Sequence, residues 1–398
     1  MAKERLFSGN FVLCTLASFF YTIMFFMFYT GMSSYTTEEL GCSTIIAGMA
    51  ASTFVLGDLL SRIIFGRRME LYGKKRVCVT FLAAGTFVCL FYFQAHDFYT
   101  LLFVRFLHGL TYGAMTAAIN TIIAHALPAS RRGEGMGYFM LSISLGSAIG
   151  PFLCMWLEQN GTYDDIFTIG TAASMLALLC VLFLKDSRMR FTPEEEADIR
   201  RFRLSNIIER SSIPISLVCL VFFFSYSGVL TFISPYGREI GLAEASTYFF
   251  VFISIATLTA RLLGGRVYDR HGENVALIPF FILFFIGMVM LSRADNPYVL
   301  LTAGLLMGFN VAQMVSVGQS LVVKRASRAR YSVAISTFNN FLDFAYCIGP
   351  IVFGFVVEGI GYRDGFLAFS FVSVASLLLY LAIHGIPEHR HPTPENTD

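Results

Sequence analysis

Apolar runs long enough to cross a bilayer follow one another almost end to end along this chain, parted by short polar breaks. A membrane helix needs about 20 mostly apolar residues. Twelve such runs are predicted, at 8–33, 43–66, 75–94, 98–123, 134–157, 165–185, 213–237, 245–266, 274–293, 297–321, 331–357 and 364–385. Six fall in each half of the 398 residues. The first run is too long to read as a cleavable signal peptide. One long polar segment, 186–212, joins the halves; in it Thr192 reads as an N-cap and Pro193 as a first helical position. The expected fold is an all-α membrane protein. Twelve transmembrane helices form two pseudo-symmetric six-helix bundles, 1–185 and 213–386, with a polar, disordered tail at 387–398.

Composition strengthens this picture. Hydrophobic residues make up 56% of the chain and charged residues 14%, against about 25% charged in soluble domains. A bilayer solvates that much apolar surface and water does not. Orientation follows from Lys and Arg in the short loops. With Lys3 and Arg5 placed inside, cytoplasmic segments hold 25 of the 29 basic residues, and only Arg105, Arg238, Arg293 and Arg363 fall elsewhere. The outward loops carry Glu38, Glu39, Glu158, Asp164 and Asp165. Both termini are therefore expected in the cytoplasm, and the chain is expected as a monomer crossing the inner cell membrane many times. The net charge of +2 is segregated by side and gives no reason to expect nucleic-acid binding. The eight cysteines show neither metal-ligand spacing nor a paired framework. No metal, cofactor or catalytic constellation is expected, so the chain does not read as an enzyme.

One signature occurs twice, 199 residues apart: Arg62, Gly66, Glu70 and Gly73 return as Arg261, Gly265, Asp269 and Gly272. The same offset carries Gly109 onto Gly308, Arg131 onto Arg330, and Gly150 and Pro151 onto Gly349 and Pro350. Gly66 and Gly265 allow close helix approach, and Gly73 and Gly272 suit turns with positive φ. The acids sit among cations in short cytoplasmic loops, a cluster suited to latching two halves in one conformation. Duplicated halves with a site between them are a known transporter architecture. The doubled glycine–acid–glycine pattern resembles the loop signature of the major facilitator superfamily. Arg105 with His108 and Gly109 resembles a fourth-helix pattern of that family, with His108 where Gln is usual. Gly146, Gly150 and Pro151 resemble its antiporter signature, and Arg131 through Tyr138 resembles the fifth-helix start of a bacterial group of metallophore and multidrug exporters. The resemblance spans the chain and implies alternating access around a central cavity.

Positions that break the repeat are the candidates for chemistry. Asp58 is matched by Thr257 and Asp343 by Ser144. Asp343 follows Asn339 and Asn340 with no local cation, so it is expected to carry a proton. Asp58 precedes Arg62 by four residues, a favourable pairing order, and is expected in the latch. Arg105 lies within a membrane helix, where charges are usually functional, or it snorkels to the outer surface. His108 is either titratable or a packing residue. Tyr21, Tyr226, Asn120, Asn310 and Gln313 are further cavity candidates, because polar groups seek the bundle interior. Proton-coupled export of small amphipathic molecules is the leading expectation, with protons as partners. The alternatives are a symporter or uniporter for a nutrient such as an organic anion or sugar, or a membrane sensor.

Overall fold

The computed structural model describes residues 6–65, 69–128, 131–185, 208–327 and 330–385, with Thr192, Glu196 and Ile199 between the halves. It leaves undescribed the side chains of 69–70, 132–133, 262–271, 332 and 385. Most of the expected linker 186–212 and all of the tail 387–398 lie outside the described residues. So do Gly66, the side chains of Glu70 and Asp269, and the surroundings of Gly265.

Every regular element among the described residues is helical. The long ones, in chain order, are α1 (Gly9–Ser34), α2 (Thr44–Phe65), α3 (Lys74–Cys89), α4 (Phe98–Ala126), α5 (Arg132–Asn160), α6 (Tyr163–Leu182), α7 (Ile213–Glu239), α8 (Ala243–Ser292), α9 (Pro297–Arg325) and α10 (Tyr331–Tyr380). Eleven helical runs among the described residues are long and apolar enough to cross a membrane. Two elements hold 50 residues each. Straight, each would measure about 75 Å, more than twice the roughly 30 Å hydrocarbon core. They are not straight: α8 breaks at Gly272 (φ 77°) and α10 at Gly361 (φ 81°). Gly73 enters α3 at φ 90°. Glycine is the residue that adopts these angles without a Cβ penalty. Side chains cap the starts: Asp97 accepts from the Thr100 amide, Thr162 and Asp165 form a reciprocal capping box, and Asn296 accepts from the Val299 amide.

The 199-residue echo reappears in space. A Cβ on Gly109 of α4 would lie 1.9 Å from the Phe54 carbonyl oxygen of α2, and one on Gly308 of α9 would lie 2.3 Å from the Ile253 carbonyl oxygen of α8. Phe54 and Ile253 are themselves 199 apart. In each case the missing side chain lets two backbones touch. Gly150 likewise lies against the Ile23 carbonyl of α1, and Gly349 against Ser227 and the Phe224 carbonyl of α7. Buried residues form two cores. One draws on residues between Leu6 and Leu184; the other centres on α7–α10 and takes in Tyr29, Ala47, Ala51, Phe54, Val55 and Met155.

The helices alternate in direction, giving a near face, where α2 and α4 end, and a far face, where α1 and α7 end. On the near face Glu209 accepts from Arg330 Nε, and its amide donates to Thr337 Oγ1 at 2.8 Å. The Arg330 bond holds the Glu209 carboxyl below the usual range. A depressed carboxyl stabilises above its unfolded pKa and loses that contribution as pH falls through its folded value. Acidification below about pH 4 is therefore expected to loosen residues 208–212 against α10. The effect is small, well under about 1 kcal/mol for so exposed a pair, and is read by hydrogen exchange of peptides covering 208–212.

Candidate functional site

Asp58 and Arg62 stand one turn apart on α2 and face α10. Gly113 of α4 lets Asp58 sit against the neighbouring backbone: a Cβ there would lie 2.3 Å from the Asp58 carbonyl oxygen and 2.8 Å from its Oδ1. Arg62 Nη2 donates to both Asp58 oxygens at 2.9 Å. Its Nη1 donates to Asp343 Oδ2 of α10 at 2.5 Å, across 281 residues of sequence. The expectation that Asp343 lacks a local cation is thus corrected. Its cation comes from the other half, where local sequence gives no sign of it. Asp58 is buried, while Arg62 and Asp343 side chains retain 21% and 17% exposure. One guanidinium serves two carboxylates, so the ionised cluster carries a net charge of −1. Tyr346 lies one turn beyond Asp343, and its carbonyl accepts from Tyr29 OH of α1 at 3.2 Å.

The other expected site residues are dispersed. Arg105 is 1% exposed, which rules out snorkelling to a surface. Its Nε donates to the Ala50 carbonyl at 2.9 Å and its guanidinium lies 4.7 Å from the Phe54 ring centre. His108 is buried, bonding Tyr92 OH through Nδ1 at 3.1 Å and Cys89 Sγ through Nε2 at 3.6 Å. Neither touches Asp343; both belong to the packing of α2, α3 and α4. Tyr21 is buried and stacks on Tyr112. Asn120 is exposed. Gln313 Nε2 donates to the Ala260 carbonyl at 2.7 Å, tying α9 to α8. Asn310 is fully buried with neither amide atom partnered. Tyr226 packs among Phe223 and Phe284. Asn339 is reached by Gln319 Nε2 at 3.5 Å, while Asn340 Oδ1 has no partner. Arg261, the echo of Arg62, pairs with no acid among the described residues.

A second shared-arginine cluster closes the far face, and sequence reasoning did not single it out. Arg238 of α7 donates from Nη1 to Glu38 Oε2 at 2.5 Å and from Nη2 to Glu158 Oε2 of α5 at 2.7 Å. Ser234 also donates to Glu158 Oε2. Gln159 Nε2 donates to Thr247 Oγ1 at 2.6 Å and to the Ala243 carbonyl at 2.9 Å. Beneath this lid α2 and α10 meet backbone to backbone. A Cβ on Gly48 would lie 2.2 Å from the Pro350 carbonyl oxygen, and one on Gly354 would lie 2.5 Å from that of Thr44. The available signal was the spacing of Ser227, Thr231, Ser234 and Arg238, which shares one helical face.

Two clusters, each an arginine between two acids, therefore join the first six helices to the last four at different depths. Such clusters suit ion-linked separation of the two groups of helices. Similar proteins agree with a transport role. An uncharacterized MFS-type transporter of Methanocaldococcus jannaschii is 24% identical, with 87% of this chain and 91% of that protein covered. The multi-drug resistance efflux pump PmrA of Streptococcus pneumoniae is 22% identical, with 86% and 88% covered. A variant of the nucleoside transporter NupG superposes with a TM-score of 0.79 at 16% identity, covering 94% of this chain and all of that one. Matched by the family model over residues 14–294 and again over 252–398, the chain belongs to the Major Facilitator Superfamily.

Proposed function

We propose that the protein is a proton-coupled exporter of small amphipathic molecules that works by alternating access. The observation that carries the coupling is the Arg62 guanidinium shared by Asp58 and Asp343. A proton on Asp343 cancels the excess negative charge and weakens the bond between the halves. A proton on Asp58 leaves that bond in place. Asp343 is therefore the coupling carboxyl and Asp58 the residue that orients Arg62. The doubled signature around Glu70 and Asp269 serves as a pair of latches, and the glycine–proline pairs at 150–151 and 349–350 as bends on which the bundles rock. The break at Gly361 divides α10 into two crossings, making twelve. The near face, with Lys74, Lys75, Arg76 and Arg131, lies in the cytoplasm together with both termini. Export is favoured by the pneumococcal relative, an efflux pump.

The test is flux in reconstituted vesicles with ethidium as the probe. In inside-out vesicles an acidic interior is expected to drive ethidium inward against its gradient, and collapsing the pH difference stops it. Ethidium movement indifferent to the gradient, or accumulation of a nutrient in right-side-out vesicles under outside acid, overturns the proposal.

A further inference from the structure

Glu158 is the most enclosed carboxylate on the far face: its side chain is 1% exposed, against 39% for Glu38 and 28% for Arg238. The site is built from several elements. Gly31 of α1 lets α5 approach, since a Cβ there would meet Cys154 Sγ at 2.6 Å and Glu158 Oε1 at 3.8 Å. The hydroxyl of Ser34, wholly buried, faces the carboxylate from α1. Cys154 Sγ lies 3.7 Å from Oε1 on the same helix. Ser234 and Arg238 face it from α7. Glu38 comes from the turn after α1, and Tyr163 of α6 donates to Glu38 Oε2 at 3.0 Å. Tyr362 of α10 lies within electrostatic range of Glu239, Glu38 and Arg238. A cavity of about 250 Å³, lined by Glu38, Glu39, Glu158, Gly161, Thr162 and Tyr163, reaches this cluster.

The seam below it is polar but incompletely paired. Thr30 of α1 is buried, and its hydroxyl oxygen has no partner. Ser33 Oγ bonds the Thr231 carbonyl across the seam. A buried hydroxyl without a partner costs about 1–3 kcal/mol, so water entering on opening would favour the open state. The Arg238 bridges oppose this. When the halves part, Arg238 leaves with α7 and Glu158 stays with α5. An ionised carboxylate held against α1 without its cation is expensive. A proton taken from far-side water removes that cost at the moment of opening.

We infer that Glu158 is a second proton-binding site, one that must be protonated for the far face to open. The inference rests on the alternating-access reading, with the far face turned outward. It adds a far-side acceptor to the coupling carboxyl Asp343.

Hydrogen exchange tests it without any substrate. In the wild-type protein, peptides covering 30–40 and 227–240 are expected to exchange faster as pH falls, after correction for the intrinsic rate. The change is at most about tenfold per pH unit, as linkage to one proton allows. Glu158→Gln is expected to exchange fast at every pH, with α3 and α9 still protected. Ser234→Ala, a milder change, displaces the transition along the pH axis. A Glu158→Gln protein with the wild-type pH slope, or an unmoved transition in Ser234→Ala, overturns the inference. Asp343→Asn keeps the slope; a slope lost there but kept in Glu158→Gln assigns the proton to Asp343 and overturns it too. Ethidium flux blind to the pH gradient, with the Glu158-dependent slope intact, defeats the coupling proposal and leaves this site standing.

Discussion

Arg62→Gln is expected to abolish gradient-driven ethidium flux and to lower stability in detergent by about 3 kcal/mol. Removing one partner of an enclosed ion pair typically costs 3–5 kcal/mol, and the 21% exposure of Arg62 places it at the lower end. Two carboxylates then face each other without the cation between them. Relief comes from neutralising one. The double variant Arg62→Gln with Asp343→Asn is expected to regain much of the loss, giving an interaction energy of about 1–3 kcal/mol in a double-mutant cycle. Thermal unfolding of the four proteins measures it. Strict additivity would mean that the cluster is not a unit. Transport separates the two acids in turn. Asp343→Asn imitates the protonated carboxyl and should lose gradient drive while still exchanging ethidium at equal pH. Asp58→Asn should keep some gradient response, because Arg62 still reaches Asp343. Full gradient drive in Asp343→Asn would remove that residue from the coupling scheme.

The crossing helices were legible because lipid demands long apolar runs, and the breaks because glycine and polar residues interrupt them. Gly73 and Gly272 stood out by repetition and take φ of 90° and 77°. Gly361 falls in the gap the hydropathy pattern left between its last two runs. The repeat singled out two unmatched acids, Asp58 and Asp343, and these meet at one arginine. What remained hidden was contact between the halves. Arg62 and Asp343 are 281 residues apart, and Arg238 and Glu38 are 200 apart. No local pattern sets the rotation of α2 against α10 or of α7 against α5. That Arg105 is buried and does not snorkel to the surface has a reason the sequence does contain. Arg105, Gly109 and Gly113 recur every four residues, so they share one stripe of α4. Those glycines mark the face pressed on α2, and Arg105 shares that buried contact.

The stripe supplies the second large effect. Gly109→Ala is expected to destabilise by about 3 kcal/mol and to eliminate coupled flux. The new Cβ would lie 1.9 Å from a backbone oxygen of Phe54 and 3.0 Å from the Asp58 amide. No flexible side chain stands there to yield, so α2 must move. Overpacking of this kind costs about 1–3 kcal/mol, occasionally more. The displaced helix carries Asp58 and Arg62, so the cluster with Asp343 is lost along with the packing. Gly308→Ala is the natural control, for it strains the equivalent contact of α9 on α8, with a Cβ 2.3 Å from the Ile253 oxygen. Here the position matching Asp58 is Thr257, whose hydroxyl donates to the Gly308 carbonyl at 3.1 Å, and no acid is displaced. Both variants should lose comparable stability in detergent, but Gly308→Ala should retain a pH-dependent ethidium flux per folded molecule. Equal loss of coupling in the two would mean that bundle rigidity, and not the placement of Asp58 and Arg62, limits transport.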